Sequence, residues 1–495
     1  MAFAPLRNGE AIAAGAIPEL PIGAWRNAIL DAVAGGARVC ALFATPPIGG
    51  SAQLTAVLAH DAAASLAVAR TALATAAFPS LARECPQVAG FEREIAEQTG
   101  IQPEGHPAPA PVRFSRPDGP LPGCAGFHPI EGAEVHEVAV GPVHAGVIEP
   151  GHFRFQCHGE RVLQLEIALG YQHRGVEAAL RSGAAKRRMH YVETAAGDTS
   201  VGHATACCEA LESLAGVSVP PRGQALRAIA LELERLANHT GDLGALAADV
   251  GFLPTASFCG RLRGDWLNLT AELCGSRFGR GLVRPGGVTF DVEPARSARM
   301  IERVDAAMRD LRSSVELLWA SPSVLVRFEG TGGVSEAVAR EIGLVGPAAR
   351  ACAVARDVRV DHPTGMFRFV QVPLARWHTG DVFGRAWVRW LEIERSADFV
   401  RAQLEALPDG PVRDSGAAAP PLARDSVCVS LTEGWRGEIC HVVATGAAGS
   451  LAHYKIVDPS FHNWAGLALA MRGQSISDFP LCNKSFNLSY CGFDL

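Results

Sequence analysis

The chain has 495 residues, of which 48% are hydrophobic and 19% are charged, and this is more apolar material than one ordinary domain buries. Two or more domains are therefore expected. The net charge is −6, with 42 arginines and 3 lysines against 51 acidic residues, and no basic block follows the pattern of a phosphate-binding surface, so nucleic acid is not an expected partner.

The chain also lacks the sequence signals of membrane insertion and secretion. No uncharged apolar run approaches the roughly eighteen residues that a spanning helix needs, and no basic patch with a following apolar stretch opens the sequence. We therefore expect a soluble, cytoplasmic chain with no direct membrane span. Thirteen cysteines are scattered without any CxxC pair, which argues against a disulfide framework or a zinc ribbon.

The amino-terminal part predicts a small α/β unit. Apolar runs at 39–43 and 54–58 bracket a Pro-Pro-Ile-Gly-Gly turn at 46–50. Prolines and glycines then crowd residues 102–126, which neither a helix interior nor a central strand tolerates. We place the first domain at 1–110 and a linker at 111–135.

The pattern after the linker predicts a β-hairpin followed by helices. Short alternating segments at 152–156 and 162–168 flank a His-Gly-Glu turn, with Leu163, Leu165 and Ile167 on one face. Apolar residues recur at helical spacing through 225–241 and again through 385–407. The remainder is mostly helical by pattern, so the fold class is α+β.

Several motifs carry a resemblance to a known family. They are GYQHRGVE at 170–177, LELERL at 231–236 and RPGGV at 284–288, followed by segments at 329–332, 355–359, 380–381 and 459–463. In this order they resemble the family shared by the complex I 49-kDa subunit and the large subunits of membrane-bound nickel-iron hydrogenases. The resemblance covers 136–495 and implies a mainly helical, hydrogenase-large-subunit-like domain that opens with the hairpin.

The first domain resembles the 30-kDa partner subunit of complex I. The similarity rests on FERE at 91–94, on Gly-Ile at 100–101 and on EGHP at 104–107. Fusion of these two units in one chain is typical of formate-hydrogenlyase and hydrogenase-4 type large subunits. The short spacing within 149–155 is also similar to that branch.

The resemblance implies a metal site whose ligands have been replaced. The family supplies four thiolates as two CxxC pairs, because soft sulfur ligands hold nickel and bridge it to iron. At the first pair this chain has Ala196 and Thr199, and at the second it has Ser489 and Gly492. Cys491 and Cys482 remain nearby, but at nine residues apart they do not have the spacing of such a pair. We therefore expect no nickel-iron centre and no other metal.

Two further positions match functional residues of the family. By resemblance Glu149 is a candidate proton relay, and Arg436 is the arginine that overhangs the metal; Asn487 replaces the family's aspartate. The alternative for Glu149 is a carboxylate paired with a cation, and for Arg436 a buried arginine that satisfies carbonyl groups.

The complex I alternative requires a quinone site, and its two quinone-binding groups are missing. Gly197 stands at the tyrosine position, and Pro150 is nearest the hairpin histidine position. His144, His152 and His158 remain candidates for quinone contact or proton relay, although an isolated histidine is more often structural. His203, in the segment of the first replaced pair, is a further candidate.

Three functions remain open at this point. The first is an oxidoreductase subunit of the NADH–quinone oxidoreductase or hydrogenase type, held on the inner face of the cell membrane by partners. Those partners are an iron-sulfur small subunit, which carries the cluster, and antiporter-like membrane subunits; this chain itself binds no cofactor, although a quinone is possible. The second is a non-catalytic scaffold or coupling subunit, and the third is an active nickel-iron hydrogenase. An open polar cleft between Glu149, Ala196, Arg436 and Ser489 would favour the first.

Overall fold

The computed structural model describes residues 2–48, 51–114, 119–124, 126–144, 148–414, 416 and 421–495. The predicted turn at 46–50 and the predicted linker at 111–135 lie partly outside the described residues. Within the described residues, no helix is both long enough and apolar enough to cross a membrane.

The amino-terminal part forms an antiparallel sheet with helices packed on it, as the sequence predicts. Its elements are β1 (Ala4–Leu6), β2 (Ala11–Ala13), α1 (Ile22–Ala34), β3 (Arg38–Ile48), β4 (Ser51–His60), β5 (Ser65–Leu73), β6 (Ala77–Pro79), α2 (Ala89–Thr99) and β7 (Gln102–Glu104). The sheet order is β1-β5-β4-β3, and β6 pairs with β7 in parallel. Trp25 and Ile29 of α1 are fully buried and anchor that helix to the unit.

A three-stranded sheet follows and contains the predicted hairpin. Its strands are β8 (Val135–Val140), β9 (His152–His158) and β10 (Arg161–Ala168), all antiparallel. The predicted alternation breaks because the register shifts between Val162 and Gln164. Val162 and Leu165 are consequently buried, while Leu163 and Ile167 are only half-buried.

The middle of the chain is mainly helical, which confirms the predicted fold class. Its elements are α3 (Val176–Ser182), α4 (Arg188–Val192), α5 (Ser200–Ala215), α6 (Pro221–Asp249), α7 (Leu253–Cys274), β11 (Val283–Arg284), β12 (Gly287–Val288), α8 (Pro294–Trp319), α9 (Pro322–Phe328), α10 (Glu336–Glu341), α11 (Gly346–Arg350), α12 (Val358–Asp361) and α13 (Val382–Glu405). Both predicted helices are present, as α6 and α13. Each begins earlier than its pattern suggests: Pro221 occupies the first turn of α6, and the Asp381 carboxylate caps α13 by accepting from Gly384 N.

The last part of the chain forms a second sheet that the amino terminus completes. Its elements are β13 (Ser426–Gly434), β14 (Gly437–Thr445), β15 (Leu451–Val457), α14 (Pro459–Ala470), α15 (Phe479–Phe486) and α16 (Tyr490–Phe493). The sheet order is β15-β14-β13-β2, so residues 11–13 pair with a strand more than four hundred residues later. Val429, Leu431 and Cys440 share the amino-terminal hydrophobic core. The limits 1–110 and 136–495 remain a prediction.

A fully buried ion network lies between α6, α13 and β13. Its members are Glu232, Arg235, Arg350, Asp357, Arg359, Glu392 and Glu433. Arg350 is central, because its Nη2 donates to Glu392 at 2.5 Å and its Nη1 to Glu433 at 2.7 Å. The turn that joins β13 to β14 contains Arg436, one of the candidate site residues predicted from the sequence, and so connects this network to the candidate site.

Candidate functional site

The two segments that the resemblance aligns with the CxxC pairs meet in the structure. Ala196 lies just before α5 and Gly492 lies in α16, and both are buried. A Cβ atom added to Gly492 would stand 3.0 Å from the Ala196 Cβ and 2.7 Å from the Asp458 Cγ. Only glycine therefore fits at position 492 without a shift of its neighbours.

The hydroxyl groups at the other two positions are engaged within the protein. Thr199 Oγ1 donates to the Gly197 carbonyl at 3.1 Å. Ser489 Oγ accepts from Gly492 N at 2.9 Å and so caps α16, while Ser489 N donates to Ser460 Oγ at 2.8 Å. Both hydroxyls hold the local backbone in place.

Arg436 joins the two segments directly. Its Nε donates to the Asn487 carbonyl at 2.6 Å, and its Nη1 donates to the Gly197 carbonyl at 2.7 Å and to Thr199 Oγ1 at 3.2 Å. The guanidinium also stacks on the Trp435 ring, 3.8 Å from its centre. Asn487 adopts a left-handed conformation at the end of α15, and its Nδ2 donates to Asp242 Oδ1 at 2.5 Å. We call this set of contacts between 196–199 and 487–492 the junction.

Glu149 reaches the edge of the junction at Cys491. Cys491 N lies 3.4 Å from Glu149 Oε1. Burial raises the pKa of the Cys491 thiol to about 11, and the Glu149 charge adds to this rise, so the thiol is neutral at physiological pH. Cys482 packs instead against Gly332 and Arg385.

His203 begins a buried hydrogen-bonded chain behind the junction. Its Nε2 lies 3.0 Å from Asp458 Oδ2, and its Nδ1 lies 3.1 Å from His441 Nε2. His441 Nδ1 lies 2.8 Å from the Tyr454 hydroxyl. Because a carboxylate only accepts, His203 Nε2 donates to Asp458. The two other bonds depend on the state of His203: a neutral His203 accepts from His441 and leaves Tyr454 to donate to His441, whereas a charged His203 donates to His441.

Burial determines the charge states along this chain. It lowers the pKa of His441 well below its usual value, so that ring is neutral. Burial alone would raise the pKa of Asp458, but the hydrogen bond and charge of His203, with the charge of Arg436, bring it below its ordinary value. The chain therefore ends on a carboxylate that touches the junction at Gly492.

The histidines of the hairpin region lie at other places. His152 Nδ1 lies 3.1 Å from the Gly141 carbonyl, and a Cβ on Gly141 would stand 2.7 Å from the His144 ring. His158 is exposed and pairs with Glu134 at 2.9 Å. His144 and His152 therefore both lie beside Gly141. None of the described hydrogen bonds joins either of them to Arg436 or Ala196.

The sequence did not identify several residues of this region. Asp458, His441 and Tyr454 were missed, and so was Glu234, which accepts from Val201 N at 2.7 Å and Gly202 N at 3.2 Å at the start of α5. Two signals were available, since Glu234 lies inside the LELERL motif and Asp458 directly precedes the segment 459–463. A carboxylate within an apolar helix pattern indicates a buried partner.

Glu234 gives a prediction about pH. Burial raises its pKa to about 8, so folding opposes its ionisation. The unfolded chain loses this proton near pH 4.5 and the folded chain only near pH 8, so this group makes the fold less stable as pH rises between those values. We expect Glu234→Gln to flatten that part of the stability profile, measured by urea unfolding at pH 5, 6.5 and 8. An equal slope in both proteins would contradict the assignment.

The residues of the junction do not fit a nickel-iron centre. Ala196 and Gly492 offer no ligand atom, and the hydroxyls of Thr199 and Ser489 are already bonded within the protein. The close approach of position 492 to Ala196 also leaves no space for thiolates on both. In the part of the chain that the structure describes, no group of three or more His, Cys, Asp or Glu side chains is arranged to hold a metal ion.

Comparison with known proteins identifies the family. Residues 249–494 match the family described as the respiratory-chain NADH dehydrogenase 49-kDa subunit. The chain is 32% identical over 353 residues to the carbon monoxide-induced hydrogenase of Rhodospirillum rubrum, covering 71% of this chain and 97% of that protein. It is 29% identical over 442 residues to formate hydrogenlyase subunit 5 of Escherichia coli, with 83% and 76% covered. It is 30% identical over 371 residues to NADH-quinone oxidoreductase subunit 4 of Thermus thermophilus, with 70% and 90% covered.

These similarities define the class as the oxidoreductase large subunits that include both hydrogenase and NADH dehydrogenase members. The chain belongs to the respiratory-chain NADH dehydrogenase 49-kDa subunit family. The resemblance that the sequence motifs indicated is confirmed.

Proposed function

We propose that this chain is the hydrogenase-like large subunit of a membrane-associated, complex-I-like or hydrogenase-4-like oxidoreductase, and that it takes part in electron transfer coupled to ion translocation without a nickel-iron centre. Relatives named as NADH-quinone oxidoreductase subunit 4 and hydrogenase-4 component G support the assembly type. The observation that carries the proposal is the Arg436 contact with Gly197 and Asn487. It keeps the two former ligand segments together although their ligands have been replaced.

In this proposal, residues of the junction transfer protons, and partner subunits transfer the electrons. Glu149 exchanges protons at the edge of the junction beside Cys491, and Arg436 positions the two segments. The chain from Tyr454 to Asp458 holds a buried carboxylate at the junction, where the charge of Arg436 stabilises it. An iron-sulfur small subunit delivers the electrons, antiporter-like membrane subunits move the ion, and a quinone is the candidate acceptor.

The same proposal includes where the chain is located in the cell and how its domains are arranged. The chain is held on the inner face of the cell membrane through its partner subunits. Residues 1–110 correspond to the 30-kDa partner subunit, fused to the large subunit in one chain. The shared core between this part and Val429, Leu431 and Cys440 supports a fixed arrangement of the two units.

The first test is the composition of the complex purified through a tag on this chain. We expect an iron-sulfur protein and antiporter-like membrane proteins in the mass spectrum, and nickel far below one atom per chain. We also expect electron flow from reduced methyl viologen to decylubiquinone. A chain that purifies without an iron-sulfur protein, or with stoichiometric nickel, would contradict the proposal.

Arg436→Lys tests the role of the junction. A lysine cannot donate to Gly197 and Asn487 in the bidentate geometry of a guanidinium, so we expect the two segments to separate. The expected result is a several-fold lower ratio of ion uptake to electron transfer in inverted membrane vesicles. Arg472→Lys, at an exposed position, is the matched control. An unchanged ratio in Arg436→Lys would argue against coupling through the junction.

A second candidate function is the non-catalytic scaffold. The contact of position 492 with Ala196 and Asp458 favours it, because the former ligand positions pack against each other. In that case the purified complex would contain the same partners but show no electron flow from viologen to quinone. The activity measurement therefore separates the two candidates, and the mass spectrum alone does not.

A further inference from the structure

A cavity of about 280 Å³ lies apart from the junction, between α5, α6, β13 and the turn at 364–368. Its walls combine two kinds of surface. One part is polar, with Thr205, Glu209 and Thr432, and the other is apolar, with Leu231 and Phe367. An adjoining cleft shares Gln224, Gly365, Met366 and Arg368 with it and opens towards the exposed Phe369. A cavity of this size, with an apolar wall and a few polar groups, has the form of a small-molecule site.

Glu209 is the carboxylate of this cavity that has no cationic partner. Its Oε1 accepts from Thr364 Oγ1 at 2.9 Å, and its Oε2 lies 3.3 Å from Ser430 Oγ. No described basic side chain forms an ion pair with it. The two other acidic residues of the wall are paired, since Glu212 binds Arg227 at 2.5 Å and Glu433 accepts from Arg350 at 2.7 Å.

Two hydroxyl groups of the same wall also lack partners. Thr205 and Thr432 are more than nine-tenths buried, and neither Oγ1 forms a hydrogen bond within the described residues. Thr205 is four residues before Glu209 on α5, so both lie on one helix face. Thr432 is two residues after Ser430 on β13, so it shares the strand face that contacts Glu209. Buried hydroxyls without partners are costly unless a ligand or water satisfies them.

We propose that this cavity binds a small organic primary ammonium ion, with its charged group against Glu209, Thr205 and Thr432 and a short apolar chain against Leu231 and Phe367. A primary ammonium has three N–H donors, which matches one carboxylate and two hydroxyl acceptors. The cavity volume and the apolar wall favour an organic cation over a bare inorganic ion. Nothing in this inference depends on the oxidoreductase role.

Three arginines line the same cavity as the three glutamates, but Arg227 pairs with Glu212, Arg359 pairs with Asp357 and Glu232, and Arg368 is exposed to solvent, so Glu209 is the carboxylate of the wall left for a ligand cation. Burial raises the pKa of Glu209 to about 7, against the opposing effects of Thr364 and Arg227. The charged and titratable groups around it are Glu212 on α5, Arg227 on α6, Cys428 and Glu433 on β13, Arg359 on α12 and Arg368 in the turn at 364–368. Below pH 7 the carboxyl is protonated and neutral, whereas a bound ammonium ion favours its charged form.

Hexylamine is the probe, applied to the full chain in the assembly with which it purifies. Hydrogen–deuterium exchange should show protection of peptides from α5 and from residues 364–369, and titration should give an affinity at least about tenfold higher than for 1-hexanol. The affinity should fall about tenfold between pH 8 and pH 6, as the fraction of ionised Glu209 falls. Equal protection by 1-hexanol, or by sodium or potassium chloride at the same concentration, would overturn the proposal.

Two variants locate the site. Glu209→Gln keeps the size of the side chain and should lower hexylamine affinity at least about tenfold, while Glu302→Gln, at an exposed position, should leave it unchanged. If Glu209→Gln lowers the melting temperature, Thr432→Val replaces it, with an expected loss of about threefold to tenfold. Unchanged affinity in a folded Glu209→Gln or Thr432→Val protein would refute the assignment.

Discussion

Replacing Arg350 with methionine should cost this chain about 3–5 kcal/mol of folding free energy. The guanidinium is completely buried and holds Glu392 at 2.5 Å and Glu433 at 2.7 Å, with Asp357 at 3.5 Å. Methionine fills much of the space but leaves these carboxylates without a compensating charge. The penalty arises from that unbalanced buried charge more than from lost contacts.

The measurement is the urea midpoint for proteolysis of this chain, which reports on it separately within a larger assembly. Arg312→Met is the control, because Arg312 and Glu394 form a pair at 3.2 Å whose side chains are 53% and 33% exposed. Such a pair contributes about 0–1 kcal/mol. Equal midpoints for the two variants would show that the network does not determine stability.

A second variant and the pH dependence identify the mechanism. Burial and the charge of Asp357 raise the pKa of Glu433 to about 7 even with Arg350 present. Adding Glu433→Gln to Arg350→Met should therefore restore part of the lost stability, since one uncompensated carboxylate is removed. The loss in Arg350→Met should also be smaller at pH 6 than at pH 8, because protonated Glu433 is neutral.

The sequence predicted those parts of the fold that depend on a periodic pattern of apolar residues within a short segment. The apolar spacing within 225–241 gave α6, and the alternating segments around 158–160 gave the hairpin. The predicted end of α6 was eight residues early, as the helix continues to Asp249 through Gly244. A Cβ on Gly244 would stand 2.7 Å from the Cys259 Cβ, so this glycine allows α7 to pack closely and does not end the helix.

The junction could be predicted only in part. Family motifs indicated Ala196, Thr199, Ser489 and Gly492, and the structure brings their two segments together. The same motifs gave no sign of the chain from Tyr454 to Asp458, because the two hydrogen bonds of His203 that build it join residues more than two hundred positions apart. The pairing of β2 with β13 was missed for the same reason. Such contacts leave no periodic pattern in the sequence.

Gly492→Ala should destabilise the chain by about 1–3 kcal/mol, although it adds a single methyl group. The new Cβ would stand 2.7 Å from the Asp458 Cγ, a distance that Cβ atoms do not adopt, and 3.0 Å from the Ala196 methyl, which is tighter than most such contacts. Neither neighbour is free to move, because His203 holds Asp458, and the backbone on either side of Ala196 is held by Arg174 at the Ala195 carbonyl and by Arg436 at the Gly197 carbonyl. Gly15→Ala is the control, since no atom lies within 4 Å of its added Cβ.

The consequence for metal binding can be tested with the same glycine. Ala196→Gly combined with Gly492→Ala should recover only part of the loss, because the contact with Asp458 remains. If so, introducing cysteine at 196, 199, 489 and 492 will not produce a nickel site, because the thiolates at 196 and 492 would first have to push the two segments apart. Stoichiometric nickel in that four-cysteine protein, or a Gly492→Ala protein as stable as Gly15→Ala, would mean that the junction opens readily. In that case the absence of thiolate ligands alone would prevent a metal centre from forming. The packing around Gly492 indicates instead that the close approach of the two backbone segments prevents it as well.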